Sequence, residues 1–351
     1  MARFSAGKAA FEREFTPEEG LGPLFNQTRC SSCHDLPTSG GHGAEFVTRA
    51  TRFDPSSGCD LLHDEGGDLL QRVPTPAARE AGIMAERIPK SANAVTEVRP
   101  PPIYGLGLME AVPIADIEAL ADPDDRDGDG ISGRFGTSVD GGPGRFGVKA
   151  RHATIASFVE DAARGEMGLT TPRYPTEAAL QDRSMPPEVD PAPDPEVDEA
   201  FLASLVDYIR FLAPPAARPP RDDRDHASIE AGRSIFSRIG CDGCHTPIWK
   251  TGIDTSPALR EKHFRAYSDF LLHDLGPDLA DICAPGAGPA EWRTTPLVGL
   301  RLRSIFLHDG MAQNLSAAIE MHGGEAARAR DRFRSLPEHA RQNLIHFLQS
   351  L

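Results

Sequence analysis

Cys30-Ser31-Ser32-Cys33-His34 and Cys241-Asp242-Gly243-Cys244-His245 share one spacing, and that spacing has a chemical use. Cys-x-x-Cys-His is the pattern that attaches a c-type haem. Two cysteines three apart, on about one helical turn, reach the two vinyl groups of a porphyrin, and the adjacent histidine aims a ring nitrogen at the iron from the same face. The competing uses fit less well. Zinc ribbons place their cysteine pairs roughly 15–20 residues apart, whereas these pairs lie in opposite halves of the chain. A thioredoxin-like dithiol explains neither the following histidine nor the second copy. Two c-type haems, with His34 and His245 as proximal iron ligands, are therefore the expectation.

The other two cysteines, Cys59 and Cys283, stand alone. They are read either as a disulfide joining the two halves, which an exported protein permits, or as two buried thiols.

The surroundings of the motifs echo one another. Phe25 precedes Cys30 by five residues and Phe236 precedes Cys241 by five; Leu61-Leu62-His63-Asp64 matches Leu271-Leu272-His273-Asp274, with histidines 29 and 28 residues after the motif histidines. Arg99-Pro100-Pro101-Pro102-Ile103-Tyr104-Gly105-Leu106 matches Arg293-Thr294-Thr295-Pro296-Leu297-Val298-Gly299-Leu300. Three matches in one order predict a duplication. The expected fold is mainly α, two cytochrome c-like domains with long loops. The expected boundaries are a first haem domain over 1–213 with insertions, a Pro/Arg/Asp-rich linker over 214–225 and a second haem domain over 226–351. Helices are expected at 150–166, 197–213, 227–238, 315–321 and 338–351; Phe201, Leu205, Tyr208 and Leu212 give the second its apolar stripe.

The chain has 351 residues, enough for two domains, with ordinary apolar (39%) and charged (25%) content. A net charge of -15 argues against nucleic acid and anionic membranes as partners. No apolar run approaches the roughly 18 residues that span a bilayer. Met1-Ala2-Arg3-Phe4 opens without a signal-peptide core; since a c-type cytochrome must be exported, a removed leader and a periplasmic location are expected.

A family resemblance rests on particular stretches: Ala121-Asp122-Pro123-Asp124-Asp125-Arg126-Asp127-Gly128-Asp129-Gly130, Gly144-Arg145-Phe146-Gly147, Gly165-Glu166-Met167-Gly168-Leu169-Thr170, Glu291-Trp292-Arg293-Thr294-Thr295-Pro296 and, most specific, Phe306-Leu307-His308-Asp309-Gly310 continuing to His322-Gly323-Gly324-Glu325-Ala326. From Gly20 to Leu351 the chain resembles the bacterial di-haem oxidoreductases of the peroxidase type. More distantly it resembles the di-haem cytochrome c peroxidases and the methylamine-dehydrogenase maturase. The resemblance implies an exported enzyme or electron carrier with two haems. In the di-haem peroxidases an axial Met lies fourteen residues after the histidine of the Phe-His-x-Gly segment; the corresponding position here is His322, with Met321 as the alternative ligand. Bis-His ligation lowers the potential relative to His/Met. The resemblance also brings in a structural calcium by analogy.

For the first haem the candidates for a sixth ligand are His42, His63, Met84 and Met109. Glu110 is a candidate general acid–base over an open haem, moving a proton from the near to the far oxygen of peroxide; the alternative is a solvated glutamate. Arg99 and Arg293 are candidate propionate partners, and His308 with Asp309 a candidate contact to a propionate or ligand. Asp125, Asp127 and Asp129, followed by Gly130, form the first half of an EF-hand-like calcium loop, but Gly136 stands where the closing glutamate belongs. Trp249 and Trp292 are either electron relays or core residues.

The leading expectation is a peroxidase-like oxidoreductase that reduces hydrogen peroxide at the first haem and takes electrons through the second from a small cytochrome or cupredoxin. A pure electron-transfer cytochrome and a maturase-like oxidase of a protein or small substrate are the alternatives.

Overall fold

The computed structural model describes residues 2–178, 180–181 and 185–351. Contacts divide the chain into two interleaved units. Unit 1 comprises Met1–Leu106, Thr154–Leu212 and Asp281–Gly288; unit 2 comprises Gly107–Ala153, Ala213–Ala280 and Pro289–Leu351.

In unit 1 the helix Ala2–Glu12 crosses the helix Glu199–Phe211. Gly7 makes the crossing close: a Cβ there would lie 2.3 Å from the Ser204 carbonyl oxygen. Phe11 packs on Tyr208, ring centroids 5.1 Å apart. Asp198 caps the second helix by accepting from the Phe201 amide. The helix Ile155–Met167 starts on a Thr154 cap and stops at Gly168, whose φ of 69° is left-handed. A three-stranded antiparallel sheet has Val47–Asp54 between Gly58–Asp60 and Ala94–Val98, with Val47 opposite Val98 and Thr51 opposite Ala94. Cys59 and Cys283 form a disulfide, and the Cys283 amide donates to Thr51 Oγ1 (3.1 Å). The bridge joins distant parts of the sequence within one unit.

In unit 2 the helices Asp223–Ile239 and Glu338–Leu348 cross at Gly232, where a Cβ would lie 2.0 Å from the Asn343 carbonyl oxygen. Phe236 meets Phe347 (5.6 Å) and Tyr267 (5.8 Å) in the core. Gly240, with φ of 91°, ends the first helix and turns the chain directly into Cys241.

Two expectations are corrected. The chain is mixed α/β rather than mainly α, with 34% helix and 13% strand in small sheets of two or three strands. Most strands have two or three residues, too few for a period-two pattern, and Val47–Asp54 carries Arg49, Arg52 and Asp54, which read as loop. Nor are there two clearly duplicated cytochrome c domains. Phe236 lies on a helix against His245 (6.2 Å), but Phe25 is in the short strand Leu24–Phe25 paired with Val73–Pro74; in unit 1 it is Phe11 that approaches the motif histidine (6.4 Å). His273 is buried, whereas His63 is exposed. Among the described residues the units share a pair of crossing helices and a Cys-x-x-Cys-His turn.

Candidate functional site

Both Cys-x-x-Cys-His segments fold as a short 3-10 turn, Cys30–Ser32 and Cys241–Gly243, closed by the second cysteine's amide donating to the first cysteine's carbonyl. None of the four motif cysteines is paired in a disulfide. Burial pushes Cys30 up to about 11, and Cys33 and Cys241 up to about 12. A redox-active dithiol needs a lowered thiol pKa, so these pairs are not poised as one.

The motif histidines are held alike. His34 Nδ1 is 3.2 Å from the Gly41 carbonyl oxygen and His245 Nδ1 is 2.9 Å from that of Tyr267. A carbonyl can only accept, so Nδ1 carries the proton and Nε2 keeps its lone pair, which is how a metal-bound imidazole is oriented. Burial lowers the pKa of His34. Burial, offset by the Tyr267 carbonyl and reinforced by the charge of His322, lowers that of His245 to about 4. Both rings stay neutral at ordinary pH, as ligation requires.

His322 follows the helix Leu315–Glu320 and donates from Nδ1 to the Ala318 carbonyl (2.7 Å). Burial lowers its pKa as well. Like His34 and His245 it is fixed through Nδ1 to a backbone carbonyl, and its charge bears on His245 in the same unit. Met321 packs against the hydrophobic core of unit 2.

His42 is buried and its backbone pairs both ways with Leu36, on the stretch that includes Gly41. His63 and Met84 are exposed. Met109 and Glu110 belong to unit 2, where the buried Arg145 donates from one guanidinium nitrogen to the carbonyls of Met109 (3.2 Å), Glu110 (3.0 Å) and Val112 (2.9 Å).

Sequence reasoning missed Glu166. It ends the helix Ile155–Met167 in unit 1, and its carbonyl accepts from the amide of Asn26 (2.7 Å), four residues before Cys30. Asn26 Oδ1 accepts from the Arg72 amide, which turns its Nδ2 onto Glu166 Oε2 (3.0 Å). Burial raises the Glu166 pKa, against the Arg49 charge and the Asn26 bond. Its own charge in turn raises Cys30 and Cys33. An acid at the end of an otherwise amphipathic helix, followed by Met167-Gly168, was the signal available.

Arg99 Nε donates to the Gly43 carbonyl (2.5 Å) and Arg293 Nε to that of Gly147 (2.7 Å). Burial lowers both, Arg293 to about 10. Trp249 and Trp292 are buried and donate to the carbonyls of Ser268 and Leu279. Asp125, Asp127 and Asp129 converge within 4.8 Å of one another, while each also accepts from an amide of its own loop.

The model of the family described as "Di-haem oxidoreductase, putative peroxidase" matches residues 84–351. The chain belongs to this family. Membership implies two haems, and the two Cys-x-x-Cys-His segments with their Nδ1-anchored imidazoles are donor sets that fit them. The matched span contains the second segment; the first lies before it.

Two solved structures are similar at 15% identity. One is hydrazine synthase of Kuenenia stuttgartiensis under xenon pressure (100% of this chain, 87% of that chain, TM-score 0.46). The other is a MauG-like protein associated with microbial copper homeostasis (63% of this chain, 77% of that chain, TM-score 0.33). No curated protein matches the chain. No helix among the described residues is long and apolar enough to cross a membrane.

Proposed function

We propose that this di-haem oxidoreductase is an exported, periplasmic c-type enzyme that reduces hydrogen peroxide at a first haem and takes electrons through a second from a small cytochrome or cupredoxin. In this reading Cys30, Cys33 and His34 hold the first haem, and Cys241, Cys244, His245 and His322 hold the second. Arg99 and Arg293 are half-buried guanidiniums whose partners given above are neutral carbonyls; a propionate would complete each ion pair. Bound there, the haems supply electron transfer and an iron site open to peroxide.

The observation that carries the proposal is Glu166, whose carboxylate and backbone carbonyl are both held by Asn26, four residues before Cys30, and whose pKa is raised by burial. Peroxide accepts two electrons and two protons and leaves as two waters. A carboxylate beside it takes the proton from the near oxygen and returns it to the far one, so that water rather than hydroxide departs. Asn26, locked by the Arg72 amide, keeps the Glu166 carboxylate in one orientation. We assign this role to Glu166 on its bond to Asn26, four residues before Cys30, with Glu110 as the alternative.

The test is peroxide consumption by the haem-loaded protein. Glu166→Gln is expected to lower it by roughly 10²–10⁴-fold with haem content unchanged, and Glu110→Gln to leave it near the parent rate. The reverse pattern would return the role to Glu110, and no loss in either variant would remove the acid–base assignment.

A further inference from the structure

We propose that His273 is a positioning residue that clamps together the two segments carrying His245 and His322. The proposal rests on the reading of those two histidines as ligands of one iron.

His273 lies in the strand Leu272–Asp274 of unit 2 and is buried. Its Nε2 is 2.8 Å from Asp269 Oδ2 and its Nδ1 is 2.7 Å from Glu325 Oε2. Two carboxylates on the two ring nitrogens demand two N–H donors, so the ring is an imidazolium. Burial opposes that charge, but the bonds to Asp269 and Glu325 outweigh it and hold the pKa well above the ordinary histidine value.

Each carboxylate belongs to a different ligand segment. Asp269 stands two residues after Tyr267, whose carbonyl orients His245, and the Asp269 amide donates to the Cys244 carbonyl (2.9 Å). Glu325 stands three residues after His322. Its other oxygen accepts from Ser132 Oγ (2.7 Å) and the Asp274 amide (3.2 Å). The intervening glycines bring the backbones together: at Gly324, with φ of 50°, a Cβ would lie 2.1 Å from the Asp274 carbonyl oxygen. One buried cation thus ties the proximal loop to the distal segment. Removing it leaves two carboxylates facing each other in a low dielectric, which drives the segments apart.

The experiment compares ferric, haem-loaded wild type with the variants His273→Asn and His322→Ala by low-temperature EPR and by the rate of binding added imidazole, with haem content measured in each. His322→Ala is expected to abolish the low-spin signal of the second site. His273→Asn, with haem retained, is expected to convert much of that signal to high spin and to speed imidazole binding roughly tenfold, added imidazole then restoring the low-spin form. The variant His273→Asn/Asp269→Asn/Glu325→Gln, which removes the facing charges, is expected to recover part of the native signal. If His322→Ala acts and His273→Asn leaves spectrum and binding rate unchanged, the clamp is overturned and the ligand reading stands. If His322→Ala changes nothing, both are overturned. Should His273→Asn fail to mature, Glu325→Gln, which weakens one arm only, must still speed imidazole binding; an unchanged rate overturns the clamp.

Discussion

The imidazole of His308 lies flat against the indole of Trp292, ring centroids 3.7 Å apart and planes 18° from parallel. The Lys149 ammonium sits 3.4 Å from the same indole centroid; two groups so close to one ring must occupy opposite faces. Lys149 is buried and donates to the carbonyls of Pro289 (2.8 Å) and Glu291 (2.7 Å). A cation over the ring stabilises a neutral indole and opposes its oxidation. Trp292 is therefore expected to be structural: Trp292→Phe should leave steady-state peroxide turnover nearly unchanged. Lys149→Met, which removes the donor to two half-buried carbonyls, should lower the unfolding free energy by about 1–3 kcal/mol in all, measured by denaturant titration.

The raised pKa of Glu166 sets a pH profile. A base must be ionised to take a proton, so kcat/KM should fall on the acid side, with a midpoint above the ordinary carboxyl value of 4.5 because burial raises this group. A profile from pH 4 to 8 should lose that limb in Glu166→Gln. An unchanged limb would mean that another group titrates.

Glu86 gives a separate pH dependence, in stability. It is buried, accepts from the Gln71 amide (2.6 Å), and burial raises its pKa from 4.5 to about 7. A carboxyl raised by folding contributes stability that is full below pH 4.5 and is lost as pH rises through 7, up to about 3 kcal/mol. Glu86→Gln retains an acceptor for the Gln71 amide and should flatten the stability profile across that window, raising stability at pH 8. Thermal melts of both proteins from pH 4 to 8 check this.

The Cys59–Cys283 bridge closes a very long loop, with a sequence separation of 224. Replacing both cysteines by serine should cost about 2–5 kcal/mol and make Asp281–Gly288 more sensitive to protease. A non-reducing peptide map should find the two cysteines in one linked fragment.

The haem-type turns were legible because their chemistry is local: five consecutive residues fix type and spacing. Helices were legible where a cap, an apolar stripe and a stop coincide, as at Asp198, Phe201 and Leu205, although Ala2–Glu12, whose crossing depends on Gly7, gave no such pattern. The sheet was not legible, since the partner of Val47 is Val98 and no local signal announces a pairing across that distance. Fold class and duplication failed for the same reason: Phe25 and His63 match their counterparts in sequence but not in environment. Glu166 has no legible role in the sequence alone, because its place near Cys30 depends on Asn26 receiving the end of a helix from far along the chain. In the sequence His273 reads only as half of a repeat, since the carboxylates that bond it lie four residues before it and 52 after.

The central claim is one reactive site and one six-coordinate site, and low-temperature EPR of the fully oxidised and half-reduced protein, before and after hydrogen peroxide, tests it most directly. The account predicts a low-spin signal that disappears with His322→Ala and, in at least one of the two redox states, a high-spin ferric signal that peroxide consumes. Two low-spin signals unaltered by peroxide in both states would contradict it and leave an electron carrier.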